Sequence, residues 1–125
     1  MTGNDIGSAI IASAMRVHAA VGPGLLESAY EACLQYELER QRLRVLRQVL
    51  VPLCCEELTI DNWYRIDLLV GDRVVVELKA IEAIHAVHRA HLLSYLRLGQ
   101  FKLGYLLDFN VSRMRDGIVR LVNGL

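Results

Sequence analysis

The chain has no net charge: fourteen Lys and Arg are balanced by fourteen Asp and Glu. Without a global field to hold it on a polyanion, any contact with nucleic acid has to come from a local patch or a bound metal. Aromatic residues are also scarce, at 6%, with a single Trp, so the core has to be aliphatic; a hydrophobic fraction of 54% is enough to build one and argues against disorder. Cysteines number only three, an odd count, and Cys54 and Cys55 are neighbours that face opposite ways in an apparent strand. This pattern reads as reduced thiols, not a disulfide framework. No run approaches the ~20 apolar residues of a membrane span, and the opening Met-Thr-Gly-Asn-Asp lacks the basic start of a signal peptide. The expected location is the cytoplasm. A length of 125 residues predicts one domain, 1–125, with no repeat or linker.

What the chain does have is clear periodicity. From an N-cap at Asn4 or Asp5, Ile6, Ile10, Ala14 and Val17 recur at helical spacing until Val21-Gly22-Pro23-Gly24 stops the helix. Leu26, Tyr30, Cys33, Leu34 and Leu38 form the stripe of a second helix running to about Arg42, and Glu27 falls inside that stripe. Strand-like segments follow at Arg44 to Cys55, Tyr64 to Val70 and Arg73 to Ala80, the last two resembling a hairpin. A third helix from Ile84 to Leu98 ends at Gly99, and Lys102 to Phe109 reads as a further strand. The tail from Asp116 to Val122 fits either strand or helix. The order ααβββαβ, with strand, helix and strand at its end, predicts a mixed α/β sheet flanked by helices with a parallel crossover.

Charges inside valine-rich strands need a reason. Arg65-Ile66-Asp67-Leu68-Leu69-Val70 and Val74-Val75-Val76-Glu77-Leu78-Lys79 carry Asp67, Glu77 and Lys79, and period two puts Glu77 and Lys79 on one face. Burying the rows Ile66, Leu68, Val70 and Val74, Val76, Leu78 together requires opposed positions whose numbers sum to an even value, such as 67 with 77, so that Asp67 and Glu77 share a face. A two-residue turn at Gly71-Asp72 would separate them, so the register predicts a three-residue loop, Gly71 to Arg73, or a nearby bulge. An ion pair of Asp67 with Arg65 and a helix-dipole role for Glu27 are the structural alternatives to a functional site.

Asp67, then Glu77 and Lys79, preceded by a helix bearing Glu27, resembles the PD-(D/E)XK, or restriction-endonuclease-like, superfamily. Gly24-x-x-Glu27-x-x-Tyr30 within Gly22-Pro23-Gly24-Leu25-Leu26-Glu27-Ser28-Ala29-Tyr30 is similar to the signature of the small bacterial GxxExxY proteins. The likeness continues through Tyr64 to Val70, Val76-Glu77-Leu78-Lys79-Ala80 and Asp116-Gly117-Ile118. This resemblance implies a restriction-endonuclease-like core binding Mg²⁺ or Mn²⁺. Asp67 and Glu77 would be ligands, the Leu78 carbonyl a third and Glu27 a direct or water-mediated fourth, with Lys79 orienting water or phosphate. Hard cations prefer carboxylate oxygen and stabilise the charge that phosphodiester hydrolysis develops. Superfamily exonucleases of the recombination and CRISPR-adaptation kind carry Gln-x-x-x-Tyr on the following helix; here His91-Leu92-Leu93-Ser94-Tyr95 keeps the tyrosine and has histidine for glutamine. Residues four apart share a helical face, so His91 and Tyr95 are candidate assistants.

Arg40, Arg42, Arg44 and Arg47 are the leading candidates for phosphate contact, against the alternative of a solvated basic segment. His85, His88 and His91 span about 120° of helix surface with no cysteine or carboxylate to complete a zinc tetrahedron. Two functions from different classes remain. One is a metal-dependent nuclease acting on DNA or RNA; the other is a weak or inactive nuclease-fold binding or assembly module, such as a homodimer. A small-molecule phosphoesterase ranks third.

Overall fold

Helix α1 (Gly3–Val21) starts two or three residues earlier than an N-cap at Asn4 or Asp5 would place it, because Thr2 and Asp5 form a reciprocal cap. The Thr2 hydroxyl accepts the Asp5 N–H at 3.1 Å, and Asp5 Oδ2 accepts the Thr2 N–H at 2.9 Å, satisfying two orphan donors. Its stripe of Ile6, Ile10, Ala14 and Val17 is buried as the periodicity requires. Helix α2 (Glu27–Arg40) is fastened to the turn before it by Tyr30. The Tyr30 hydroxyl donates to the Gly22 carbonyl at 2.7 Å and accepts the Leu25 N–H at 3.1 Å, while its ring stacks on Phe109.

The computed structural model describes residues 1–125. Strands β1 (Val45–Cys55), β2 (Leu58–Val70), β3 (Val74–Lys79), β4 (Leu103–Asp108) and β5 (Ile118–Val122) lie side by side in sequence order. Every pair is antiparallel except β3 and β4, which are parallel and joined through helix α3 (Ala86–Gly99). The result is a single α/β domain with a mixed sheet and three helices. Helices α1 and α2 cover one face over Leu68, Val70, Val76, Leu78 and Leu107. Helix α3 sets Leu92 and Leu96 on the other face, against Leu69, Val75 and Leu106. Burial on both faces explains why β3 and β4 read as unbroken apolar runs.

The tail is a strand, β5, which pairs with β4 through Leu103↔Val122 to Leu107↔Ile118. Strand β2 begins at Leu58, well before Tyr64: Asp61 and Asn62 look like turn residues but lie within the strand. The β2–β3 register is the one required to bury the apolar rows, with Leu68↔Val76, Leu69↔Val75 and Val70↔Val74 around the loop Gly71–Arg73. Both Gly71 (φ 61°) and Asp72 (φ 58°) are left-handed, and a Cβ on Gly71 would meet Ile6 Cδ1 at 2.6 Å. One expectation fails: Ile66 does not share the core of Leu68 and Val70 but joins the α3 side with Leu92 and Leu96. The row breaks at Asp67.

Candidate active site

The cause of the break lies on both flanks of Asp67. Toward β1, the pairs Arg47↔Leu68 and Val49↔Ile66 bracket Gln48, whose φ of 54° interrupts the alternation of the strand. Toward β3, the ladder ends at Leu68↔Val76 and the next rung is made by side chains. The Asp67 N–H donates to Glu77 Oε1 at 3.4 Å, and the Leu78 N–H donates to Asp67 Oδ2 at 2.9 Å. Each carboxylate thus stands in for a carbonyl that the other strand does not supply, which is how two interior strands fork without leaving buried N–H groups unpaired.

The fork concentrates negative charge in a poorly solvated place. Burial, then the Asp67 charge, pushes the Glu77 carboxyl up to about 8; the Asp67 N–H and Lys79 oppose the rise, and Glu27 adds to it. Burial also raises Asp67, opposed first by the Leu78 N–H; Glu31 pushes it further up, while Lys79 and a hydrogen bond from Gln48 pull it down. Tyr95 on α3 is raised by burial and then by the charges of Glu77 and Asp67, so it stands within electrostatic reach of both. Its ring stacks on Tyr64 at 4.4 Å, and the Tyr64 hydroxyl, pushed up to about 12 by burial, donates to the Tyr95 carbonyl.

Not every expected residue is gathered here. Glu27 is exposed in the first turn of α2 and acts on Glu77 through its charge, so its expected place inside the buried stripe is corrected. The buried carboxylate of that helix is Glu31, one turn on and 6% exposed. It accepts Arg47 Nε at 3.0 Å, and Gln48 Nε2 bonds both of its oxygens at 3.0 Å. Glu31 precedes Leu34 by three and Leu38 by seven, a spacing that marked it as fully as it marked Glu27. His91 is exposed, and neither carboxylate hydrogen-bonds to it.

The arginines are mostly occupied: Arg40 with Glu37, Arg44 with Asp72 and Arg47 with Glu31, at 3.3, 3.0 and 3.0 Å, while Arg42 is exposed at the turn after α2. Arg65 is exposed, and no ion pair with Asp67 forms.

Lys79 is positioned from the backbone. Its carbonyl accepts the Phe109 N–H at 3.1 Å, and beside it in β4 lies Asp108, 1% exposed. Asp108 Oδ1 accepts the Ile81 and Asn110 N–H groups at 3.2 and 3.0 Å, which clamps the chain just beyond Lys79; Oδ2 is buried without a partner.

No three His, Cys, Asp or Glu side chains are gathered at metal-holding distance. The pair Asp67 and Glu77 nonetheless fits a hard divalent cation, whose charge would favour the ionised carboxylates that burial and neighbouring negative charge disfavour. Mg²⁺ is commonly held by one or two carboxylates with water and substrate phosphates completing its shell.

A mixed sheet covered on both faces, split at an acidic pair with a lysine two residues on, defines a restriction-endonuclease-like α/β domain. Residues 4–121 match the family profile described as PD-(D/E)XK nuclease superfamily, and the chain belongs to that superfamily. Its nucleases generally use divalent metals and act on nucleic acid. No curated protein and no solved structure matches the chain. No helix is long and apolar enough to cross a membrane.

Proposed function

We propose that this protein is a metal-dependent phosphodiesterase that hydrolyses nucleic acid at the fork between β2 and β3. The observation that carries this reading is the pair of cross-strand bonds at the split, Asp67 N–H to Glu77 Oε1 and Leu78 N–H to Asp67 Oδ2, which holds two carboxylates together with Lys79 two residues beyond Glu77. Asp67 and Glu77 would hold Mg²⁺ or Mn²⁺, with the Leu78 carbonyl as a third donor and Glu27 reaching the site through water. The cation supplies charge neutralisation for the phosphorus oxygens and hydroxide at neutral pH. Lys79, on the same face of β3 as Glu77, orients the attacking water or holds the scissile phosphate. Glu31 fixes Gln48, and through it the orientation of Asp67. Tyr95 walls the site on the α3 side, and His91, one turn before it on the same helical face, would assist from the solvent side. Arg47, partly exposed beside Glu31, is the arginine best placed for phosphate; Arg40, Arg42 and Arg44 are more distant candidates for the nucleic-acid backbone. The segment Gly24-x-x-Glu27-x-x-Tyr30 supports membership in the GxxExxY branch, and the three free cysteines support a cytoplasmic setting.

Purified protein with Mg²⁺ or Mn²⁺ is expected to cut DNA or RNA, and Asp67→Ala and Lys79→Ala should each lose more than about 100-fold, beyond the 10- to 100-fold typical of supporting residues. Cutting retained in both variants overturns the assignment. The engagement of Arg40, Arg44 and Arg47 with acidic neighbours, together with histidine in place of glutamine at 91, favours a second reading: a nuclease-fold assembly module, for example a homodimer. Absence of calorimetric Mg²⁺ and Mn²⁺ binding at millimolar metal would select it.

A further inference from the structure

A groove of about 440 Å³ opens beside the carboxylates, lined by Asn62, Trp63, Arg65 and Asp67 of β2, Leu50 of β1 and Tyr95 of α3. We propose that it seats an unpaired base of the nucleic-acid strand, so that the substrate class is single-stranded or frayed nucleic acid; this rests on the nuclease reading for the chemistry at Asp67. Its size is that of a small-ligand site, roughly 300–1,000 Å³.

The first support is a distortion of the strand. The β1–β2 register shifts between Val51, opposite Tyr64, and Leu53, opposite Ile60, so Asp61, Asn62 and Trp63 stand against Pro52 alone. Pro52 has no N–H to offer the ladder, and Asn62 sits at φ 55°. A bulge beside an active site re-aims a side chain, and this one delivers Trp63 to the surface, 58% exposed, while its neighbour Tyr64 is buried against Tyr95.

The second support is the chemistry of the lining. An indole face stacks any base, and the Arg65 guanidinium, with no acidic partner, can stack on a base or hold its phosphate. The Asn62 amide offers donor and acceptor to a base edge. A lipid chain or apolar peptide side chain would leave Asn62, Arg65 and Asp67 desolvated without partners, and a closed duplex keeps its base faces inside the stack. Because Asp67 lines the groove and also belongs to the fork, a base seated against Trp63 is attached to a phosphate that reaches the carboxylates.

Trp63 is the sole tryptophan, so emission excited selectively at the indole, and not at the five tyrosines, reports this groove. In EDTA, where no cutting occurs, oligothymidine is expected to quench that emission saturably, whereas a blunt duplex of equal length does not. Affinity for a labelled oligothymidine, followed by anisotropy, should fall about 5- to 150-fold in Trp63→Ala and recover in Trp63→Phe, with circular dichroism confirming that both variants fold. Equal quenching by duplex, no quenching by oligothymidine, or a Trp63→Ala variant that binds like wild type overturns the proposal. Glu77→Gln, outside the groove lining, separates the two readings: it should abolish cutting and keep the quenching. Quenching by oligothymidine without metal-dependent cutting upholds the groove and removes the nuclease, and cutting unaffected by Trp63→Ala does the reverse.

Discussion

Toward the Gly71–Arg73 loop, β2 and β3 are joined by a backbone ladder between valines and leucines buried on both faces. One residue beyond Leu68↔Val76 the same two strands part, and their remaining N–H groups are answered by carboxylates whose ionisation burial opposes. The first region is favourable by every local measure: β-branched residues, matched register and dry packing. The second is unfavourable unless something positive arrives. The comparison teaches that register fixed by cheap contacts can hold an expensive constellation in place at a distance of one rung. The acidic pair does not need to hold the strands together.

The largest expected difference is in stability. Leu68→Ala, in the fully buried half, should lower unfolding free energy by about 2–5 kcal/mol, read by urea denaturation. A loss under about 0.5 kcal/mol, the level of an ordinary exposed substitution, would break the comparison.

The second expectation concerns pH. The fold raises the Glu77 carboxyl from 4.5 to about 8, so it favours the protonated acid. That contribution is complete below pH 4.5 and is lost as pH climbs through about 8, at up to about 1.4 kcal/mol per pH unit crossed. The metal-free protein should therefore melt at lower temperature at pH 9 than at pH 5, and Glu77→Gln, which keeps an acceptor for the Asp67 N–H, should flatten the profile. A wild-type profile already flat over that window would show that the fork carries no electrostatic strain.

The smallest effect sharpens the boundary between the regions. Glu31→Ala leaves Gln48 and Arg47, both exposed enough to be rehydrated, without their shared partner, at about 0.5–1.5 kcal/mol. It should also weaken Mn²⁺ binding 10- to 100-fold through the loosened Asp67, in line with outer-shell residues. Calorimetric titration checks this; unchanged affinity would place Glu31 with the scaffold alone.

Much of the ladder was legible in the sequence, and the fork was legible only in part. Two apolar rows were enough to put Asp67 and Glu77 on one face, because period two admits only registers of even sum if both rows are buried together, and a three-residue loop at Gly71–Arg73 then sets 67 against 77. The switch of Ile66 to the α3 side was hidden, since it follows from a left-handed Gln48, and glutamine in a strand carries no mark of positive φ. Glu27 and Glu31 share one helical stripe, so periodicity alone could not say which is covered; that depends on β1 laying Arg47 and Gln48 over the second turn. The early part of β2 was missed because Asp61 and Asn62 have turn chemistry, here spent on a bulge. The tail resolved as strand β5, which takes up the open side of β4.

The clamp around Lys79 has an engineering consequence. The chain is pinned at the Lys79 carbonyl by Phe109 and at the Ile81 N–H by Asp108, and is next held by Ile84, packed against the cluster of Leu92 and Leu96. The exposed stretch between Ile81 and Ile84 is thus a splice point anchored at both ends. Doubling the length of a flexible connection costs only about 0.6 kcal/mol, so a sensor peptide or fluorescent tag inserted there would report on α3 while leaving the lysine where the fork presents it.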